Sequence, residues 1–429
     1  MSYDLIVISS YPPQGQTHGI GTVGVASYTK NTLLSFPSTL NILVLAEKLS
    51  GESDIYQEKN IHVVRCWQRN SLSIFGDILK QSKKHPSTPV LIEFEMAMFG
   101  NPLLNVFLPL LLLVLKLGRH SITIVLHQVV TDFNEISGHI GQSKNSPLNG
   151  ILNFLAKIFY KSIISLSSKI IVFEQFLKDR LDKNNPKIFI IPHGVEILDK
   201  TNNFDEANNF SEHSERVTRS GQPEGSEHRK NSFANQKDFV ITIFGFLAWY
   251  KGTDWIVKTF SHYFDKHPKS KFKLIIAGGP NPNHLDKPYY QKYLAQINYF
   301  ANKHPQKIII SGFVPESQIG TFYKNSDLIL LPYRVGMSSS GPLSLAFTYH
   351  KPFLLSPKIA PILDTNDIRR IIDPSLVKFS LNSNSLFNKL IYFQKNPQSL
   401  KSLTTVSQYI SNSRSWSNIS HQYIKCLEL

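Results

Sequence analysis

The sequence predicts an α/β fold of two Rossmann-like domains whose parallel sheets face a central cleft. Length is the first observation behind this prediction, because 429 residues exceed the usual size of a single hydrophobic core. Short apolar runs rich in β-branched residues also alternate with helical stretches, which is typical of repeated βα units. Finally, a polar segment at 199–237 separates two series of such runs.

The polar segment divides the chain into an N-terminal domain, 1–193, and a C-terminal domain, 238–413. From Ser211 to Ser232 the only aliphatic residue is Val217. Such a composition buries too little apolar surface to offset the entropy of ordering, so 199–237 is predicted to be a disordered insertion. The predicted strands are Leu5–Ser9, Asn41–Ala46, His62–Val64, Val90–Phe94, Ile122–Leu126, Lys169–Phe173 and Ile188–Ile191, then Phe239–Phe244, Lys273–Ala277, Lys307–Ile310, Leu328–Leu331 and Phe353–Ser356.

Composition narrows the class of partner. The formal net charge of +15 favours an anionic partner such as a nucleotide diphosphate or an acidic membrane surface. No basic run is interleaved with aromatic residues, so we do not expect nucleic acid. The two cysteines, Cys66 and Cys426, suggest neither a disulfide framework nor a zinc site. Together with the lack of a secretory signal pattern, they favour the cytoplasm.

One apolar run, Leu103 to Leu117, raises the question of a membrane. It is interrupted by Asn105 and Pro109 and is shorter than the roughly 20 residues needed to span a bilayer. A buried helix between two strands is the favoured interpretation. The alternative left open is a peripheral contact on the inner face of an anionic membrane.

In the N-terminal domain, candidate site residues follow the strand ends, where open α/β sheets bind ligands. Gly19, Gly21 and Gly24 allow close backbone approach beside a helix start, or form a plain turn. His127 ends a buried strand and is predicted to donate to a phosphate or a sugar hydroxyl; a structural histidine is the alternative.

Three further residues of this domain are predicted to contact an acceptor molecule. These are His18 in the glycine segment, and Glu95 and Asp132 in loops at strand ends. The alternative for both carboxylates is a helix cap or a solvated surface group. His193 and Gly194 close the last strand of the domain and are predicted to form a turn.

The C-terminal domain holds the most informative run, 311–343. It contains two buried strands, each ending in a turn, and then a helix start rich in serine and glycine. Free backbone N–H groups at such a place bind phosphorylated ligands. Ser339, Ser340 and Gly341 are therefore predicted to bind phosphate and ribose, with a simple helix cap as the alternative.

The order and spacing of these segments resemble family-4 glycosyltransferases of the GT-B type, over nearly the whole chain outside 199–237. The resemblance implies that Gly21 and Gly245 lie against the donor phosphates and that Lys251 gives a positive charge to the diphosphate. It also implies that the backbone of Gly312, Phe313 and Val314 reads the nucleobase. A terminal helix, 414–429, is then expected to cross back to the N-terminal domain.

Three positions depart from the family pattern. Phe246 stands where an arginine is common, and Met337 and Leu345 stand where retaining members carry two glutamates. Neither Met nor Leu can hold the ribose hydroxyls, so donor binding must differ. The chain resembles the subset of the family that has a Ser-Gly-Pro-Leu segment instead of the glutamate pair.

The predicted function is transfer of a sugar from a nucleotide-diphosphate sugar to a hydroxyl of a glycan or a lipid-linked glycan. His127 and Lys251 are the predicted catalytic residues, with retention of configuration, and with neither a metal nor a cofactor besides the co-substrate. Paired carboxylates of the glycosidase kind are not evident. Two alternatives remain: a binding protein of the same fold that has lost catalysis, and a GT-B epimerase acting on a nucleotide sugar.

Overall fold

Two parallel sheets, one in each half of the chain, organise the computed structural model. It describes residues 2–17, 24–136, 146–197, 238–336, 338 and 340–429. The predicted insertion at 199–237 and the predicted site residues His18, Gly21 and Ser339 lie outside the described residues. So do Gly19 of the glycine segment and Met337, which stands in the place of a family glutamate. The two-domain α/β fold with parallel sheets that the sequence predicts is confirmed.

The first sheet has eight strands in the order β3-β4-β2-β1-β5-β6-β7-β8. All neighbouring pairs are parallel except β3 and β4 at one edge, which run antiparallel. Its central strands are buried on both faces, which explains why they are apolar without alternation. The strands are β1 Leu5–Ile8, β2 Ile42–Glu47, β3 Ile55–Glu58, β4 Ile61–Trp67, β5 Val90–Phe94, β6 Ile122–Leu126, β7 Lys169–Val172 and β8 Ile188–Ile190.

The second sheet has five parallel strands in the order β11-β10-β9-β12-β13. Strand β9 begins the domain and lies at the centre, so the chain order reverses next to it. Ligands of open α/β sheets bind at such a reversal, beyond the carboxyl ends of the strands. The strands are β9 Phe239–Phe244, β10 Phe272–Ala277, β11 Ile308–Ile310, β12 Leu328–Leu331 and β13 Phe353–Leu355.

Helices cover both sheets and join the two domains. In the first domain they are α1 Gly24–Leu34, α2 Ile74–Ser82, α3 Leu108–Leu117, α4 Phe133–Ile136, α5 Pro147–Leu166 and α6 Gln175–Asp182, with a 3-10 turn Pro102–Phe107 before α3. The second domain adds α7 Thr253–Lys266, α8 Pro288–Asn302, α9 Glu316–Lys324, α10 Gly341–Thr348, α11 Asn366–Arg369, α12 Ser383–Lys395 and α13 Pro397–Ser413, followed by α14 Trp416–Leu427.

The last helix, α14, packs on the first domain although it follows the second in sequence. Its buried residues Ile419 and Tyr423 belong to the same apolar cluster as strand β1. The hydroxyls of Tyr28 and Tyr423 are 2.8 Å apart and form a buried hydrogen bond. This contact fixes α14 against α1 and ties the chain's end to the N-terminal sheet.

Candidate active site

Glycine turns at the ends of β9, β10 and β11 form one wall of the cleft. Gly245 and Gly312 have φ of 100° and 77°, a region that side chains with a Cβ atom rarely adopt. A Cβ atom on Gly279 would lie 2.8 Å from the backbone nitrogen of Phe313, and one on Gly278 would overlap the carbonyl oxygen of Gly245. The three turns therefore meet backbone to backbone, and the sequence needs glycine where they do.

Lys251 lies directly over the first of these turns. Its side chain is buried, and its Nζ is 3.5 Å from the carbonyl oxygen of Phe244. A Cβ atom on Gly245 would overlap this Nζ, so the glycine leaves the space that the ammonium occupies. Burial lowers the pKa of Lys251 to about 8. The ammonium is thus still the major form at pH 7, in a place where an anion would stabilise it.

The residue after Lys251 fixes how the chain enters helix α7. Gly252 adopts the left-handed conformation, with φ of 72°, and is followed at once by the first turn of the helix. A Cβ atom there would overlap the carbonyl oxygen of Pro332 at the end of β12. Lys251 is therefore held between a strand-end turn and a helix N-terminus, the setting that the sequence predicts for it.

An aromatic cavity opens beside Lys251, and the sequence did not reveal it. It has a volume of about 200 Å³ and is lined by the segment Phe246–Lys251 together with Asn281, His284, Tyr289, Tyr290 and Tyr293. The hydroxyl of Tyr290 donates to the carbonyl oxygen of Leu247 and accepts from the backbone N–H of Asn281. Phe246, where the family commonly has arginine, is partly exposed on this wall.

The serine segment before helix α10 contacts the first domain. The hydroxyl of Ser338 donates to the carbonyl oxygen of His127. Ser340 is buried and is the N-cap of α10, its side chain accepting from the N–H of Leu343 at 3.4 Å. Gly341 is exposed, and a Cβ atom there would have no neighbour within 4 Å. Ser340 thus acts as the cap, and a phosphate-binding role for it and for Gly341 stays a prediction.

His127 forms a buried pair with Glu93, a residue that the sequence reasoning missed. The Nε2 atom of His127 is 2.8 Å from a carboxyl oxygen of Glu93. Burial raises the pKa of Glu93 well above its ordinary value and lowers the pKa of His127 to about 4. Both directions favour a neutral pair, in which the Glu93 carboxyl donates to Nε2 and Nδ1 carries the ring hydrogen. A carboxylate in the middle of an apolar strand was the signal available in the sequence.

Aromatic rings hold the His127 imidazole in place. Tyr28 and Phe173 contact it edge to face, each with a centroid distance of 4.9 Å. Tyr28 also contacts the ring of His193 at 4.8 Å. These packed rings restrict His127 to one orientation at the carboxyl end of β6, where the Ser338 segment of the second domain reaches it.

His193 and Gly194 lie where the first domain meets the second. The Nδ1 atom of His193 is 2.6 Å from the carbonyl oxygen of Gly194, and burial lowers the pKa of His193 to about 4. A Cβ atom on Gly194 would overlap the indole of Trp416. The next residue, Val195, donates its N–H to the carbonyl oxygen of Arg414 at 2.7 Å. Both predicted turn residues therefore serve the junction with the terminal helix.

Glu95 and Asp132, the two carboxylates predicted to contact an acceptor, have different surroundings. Asp132 accepts hydrogen bonds from the N–H of Asn134 and from the side chain of Asn153, and these bonds lower the pKa of its carboxyl. This is the geometry of a residue that caps a short helix. Glu95 is half-buried beside His127. Its negative charge acts to raise the pKa of His127, against the effect of burial, and also acts to raise the pKa of Tyr250 across the cleft.

Of the remaining predicted residues, Phe313 is largely exposed, and Val314 is buried in the turn before α9. Leu345, in the place of the second family glutamate, packs against the core of its own domain. Among the residues that the structure describes, no group of three or more His, Cys, Asp or Glu side chains is arranged to hold a metal ion.

Comparison with known proteins agrees with this geometry. Residues 225–365 match the family of glycosyl transferases group 1. The predicted class of enzyme, a glycosyltransferase, is thereby confirmed. This glycosyltransferase domain includes the glycine turns, Lys251 and the serine segment. No curated protein matches the chain by sequence.

Solved structures resemble the whole chain and not only this domain. Sucrose-phosphate synthase from Thermosynechococcus elongatus aligns with a TM-score of 0.68 at 11% identity, covering 99% of this chain and 98% of that one. A glycosyltransferase from Rickettsia africae aligns at 0.61 and 14% identity, covering 100% and 98%. HepE of Anabaena, solved in complex with UDP, aligns at 0.58 and 11% identity over 100% of both chains. These likenesses confirm the fold.

Proposed function

We propose that this glycosyltransferase moves a sugar from a nucleotide-diphosphate sugar to an acceptor hydroxyl, with the diphosphate bound against Lys251. The observation that carries the proposal is the buried ammonium above the Gly245 turn. Among the described residues, no carboxylate forms an ion pair with this ammonium, and burial is the cause of its lowered pKa. An unpaired ammonium is costly in a buried site, and a diphosphate is the ligand that would offset the cost. Complexes of the related fold support the choice of ligand, since HepE has been solved with UDP and with UDP-glucose.

Each residue has a distinct part in the proposed reaction. The Lys251 ammonium and the N–H groups at the start of α10 stabilise the negative charge that grows on the departing diphosphate. Neutral His127 donates through Nδ1 to a sugar hydroxyl and so orients the donor. Departure of the diphosphate and attack by the acceptor then occur on the same face, which retains the configuration. The acceptor proton goes to the leaving diphosphate oxygen, so no protein base is needed.

The acceptor is proposed to be a glycan or a lipid-linked glycan, bound on the side of the first domain beside Glu95. That half-buried carboxylate faces the cleft near His127 and can accept a hydrogen bond from a hydroxyl group. No helix within the described residues is long and apolar enough to cross a membrane. We propose that a lipid-linked acceptor is reached from a peripheral position on the membrane.

A second candidate function is donor binding without transfer. Phe246 and Leu345 favour it, because they remove a cation and a carboxylate from the donor side. Calorimetry with UDP, GDP and ADP, followed by incubation with the matching sugar nucleotides, separates the two functions. Release of the nucleoside diphosphate with a glycosylated or hydrolysed sugar supports the enzyme. Tight binding of the sugar nucleotide without any release supports the binding protein, and no binding at all contradicts both.

A further inference from the structure

The outer face of helices α3 and α5 is unusually apolar for a surface exposed to water. Of the 23 large hydrophobic side chains exposed among the described residues, 11 lie on these helices and the turn before α3. They are Leu103, Val106, Phe107, Leu110, Leu113, Leu117, Leu148, Ile151, Phe154, Leu155 and Ile158. We call this the α3–α5 surface. Scattered apolar residues are normal on a protein, but a contiguous set of this kind marks an interaction site.

The spacing of these residues shows that the exposed apolar side chains lie on the side of the helix opposite to the core. On α3, Leu110, Leu113 and Leu117 are three or four residues apart and point outward, while Leu111 and Leu115 point into the core. The helix is therefore apolar on both sides, which is typical of a helix buried all round. The side chains of Leu117 on α3 and Phe154 on α5 are 75% and 64% exposed, so each helix has one apolar side that no described residue covers.

The two helices form one continuous surface. They pack against each other, and Nζ of Lys116 donates to the carbonyl oxygen of Ser165 at 3.3 Å, which ties their carboxyl ends together. Both helices run antiparallel to the strands that they cover, so their amino ends lie at the edge of the sheet where His127 is found. The α3–α5 surface thus extends from the rear of the domain to the mouth of the cleft.

The charged residues on α3 and α5 indicate an anionic partner. The chain has no Asp or Glu from Asn101 to Thr131 or from Ser146 to Phe173, whereas Lys116, Lys157 and Lys161 lie on these helices, and all three are exposed. The neighbouring helices α2 and α4 carry one carboxylate each, Asp77 and Glu135, and Glu135 is paired with Arg180. An apolar face bordered by lysines, with no carboxylate on its own two helices, matches the surface of an anionic bilayer, in which the apolar side chains insert and the lysines meet the head groups. Two-fold pairing with a second copy would place two such basic faces against each other, with no carboxylate on α3 or α5 to neutralise the lysines.

We propose that the α3–α5 surface docks this protein on anionic lipid bilayers. The protein lies on the membrane without crossing it, and the mouth of the cleft is held beside the lipid head groups. Delivery of a lipid-linked acceptor from that bilayer rests on the proposed function; the docking itself does not. Lipid binding is therefore measured without a donor, so that either idea can fail alone.

The test is co-sedimentation of the full chain with vesicles. We expect binding to vesicles of equal parts phosphatidylglycerol and phosphatidylcholine, and weaker binding at high salt. The double variant Leu113→Glu/Phe154→Glu should lower the partition coefficient at least about tenfold, because it places carboxylates in the apolar face. Lys157→Gln and Lys161→Gln should each lower it roughly fivefold for mixed vesicles, and not for pure phosphatidylcholine.

A matched control uses exposed apolar residues of the other domain. Leu376→Glu/Tyr409→Glu adds the same charge and should bind vesicles as the wild type does. All four altered positions are solvent-exposed, and unchanged melting temperatures would show that the variants are folded. Wild-type protein that stays in the supernatant overturns the proposal, and so does vesicle binding that the first double variant retains. A concentration-dependent dimer that this variant dissociates, without vesicle binding, would assign the surface to self-association instead.

Discussion

Replacing Lys251 by methionine removes a buried charge while keeping a side chain of similar length. In the free protein the Nζ atom contacts a carbonyl oxygen, and burial alone lowers its pKa to about 8. Against an ordinary lysine pKa of about 10.4, this corresponds to about 3 kcal/mol by which folding disfavours the ammonium. Loss of the hydrogen bond to Phe244 returns about 1 kcal/mol. At pH 7 we therefore expect Lys251→Met to raise the free energy of unfolding by about 1–2 kcal/mol.

The buried lysine should also make the free energy of unfolding depend on pH. Below pH 8 the lysine is charged in both the folded and the unfolded chain, and its full unfavourable contribution is present. Between pH 8 and about 10.4 the unfolded chain binds the extra proton, so the contribution of Lys251 to stability rises with pH. Buried tyrosines such as Tyr28 and Tyr323 have raised pKa values and lower stability near pH 10 in both proteins, so Lys251 is seen in the difference between them. In urea unfolding, the stability advantage of Lys251→Met over the wild type should be full at pH 7 and should shrink between pH 8 and about 10.4.

Donor binding should change in the opposite direction. Without the ammonium, Lys251→Met should bind nucleoside diphosphates at least about tenfold more weakly in calorimetry, which is about 1.4 kcal/mol. Lys266→Met is the matched control, because that lysine is exposed on α7, and it should change neither quantity. A Lys251→Met protein that is less stable than the wild type, or that binds the diphosphate equally well, would refute the argument.

Three other substitutions test the cleft. Glu93→Gln keeps a hydrogen-bond donor for His127, so it should change the free energy of unfolding little at pH 5. The pKa of Glu93 is raised only in the folded chain, so the wild type loses stability as pH rises from 5 to 7, and the variant should become the more stable protein. A variant less stable by about 3 kcal/mol or more in urea unfolding would mean that the wild-type pair is charged. Gly194→Ala should lower stability by about 1–3 kcal/mol, because its Cβ atom overlaps Trp416, and an unchanged melting temperature would contradict this contact. Gly341→Val has open space for its side chain, so it should fold normally yet bind nucleoside diphosphates at least about tenfold more weakly; wild-type affinity would make this helix start purely structural.

The sequence alone determined the class of fold, because that depends on local pattern. Continuous apolar runs separated by helical stretches specify buried parallel strands, and the predicted strands of both sheets were found within a few residues. Antiparallel strand β3, Ile55–Glu58, was missed because it is an edge strand with only one buried residue. Lys251 between Gly245 and Gly252 was also readable, since special backbone conformations leave glycine as a local sign.

Only the tertiary structure decided what depends on residues far apart in the chain. Burial of Glu93 and His127, 34 residues apart, sets the protonation of both, and no local pattern encodes that. The same holds for Ser338, whose hydroxyl is used across the domain boundary, and for Tyr290, which shapes the cavity beside Lys251. The run Leu103–Leu117 shows the limit most clearly: its sequence fits a buried helix, and only packing reveals that half of it faces outward. Burial and electrostatics arise when the chain is folded, and so they are absent from its order of residues.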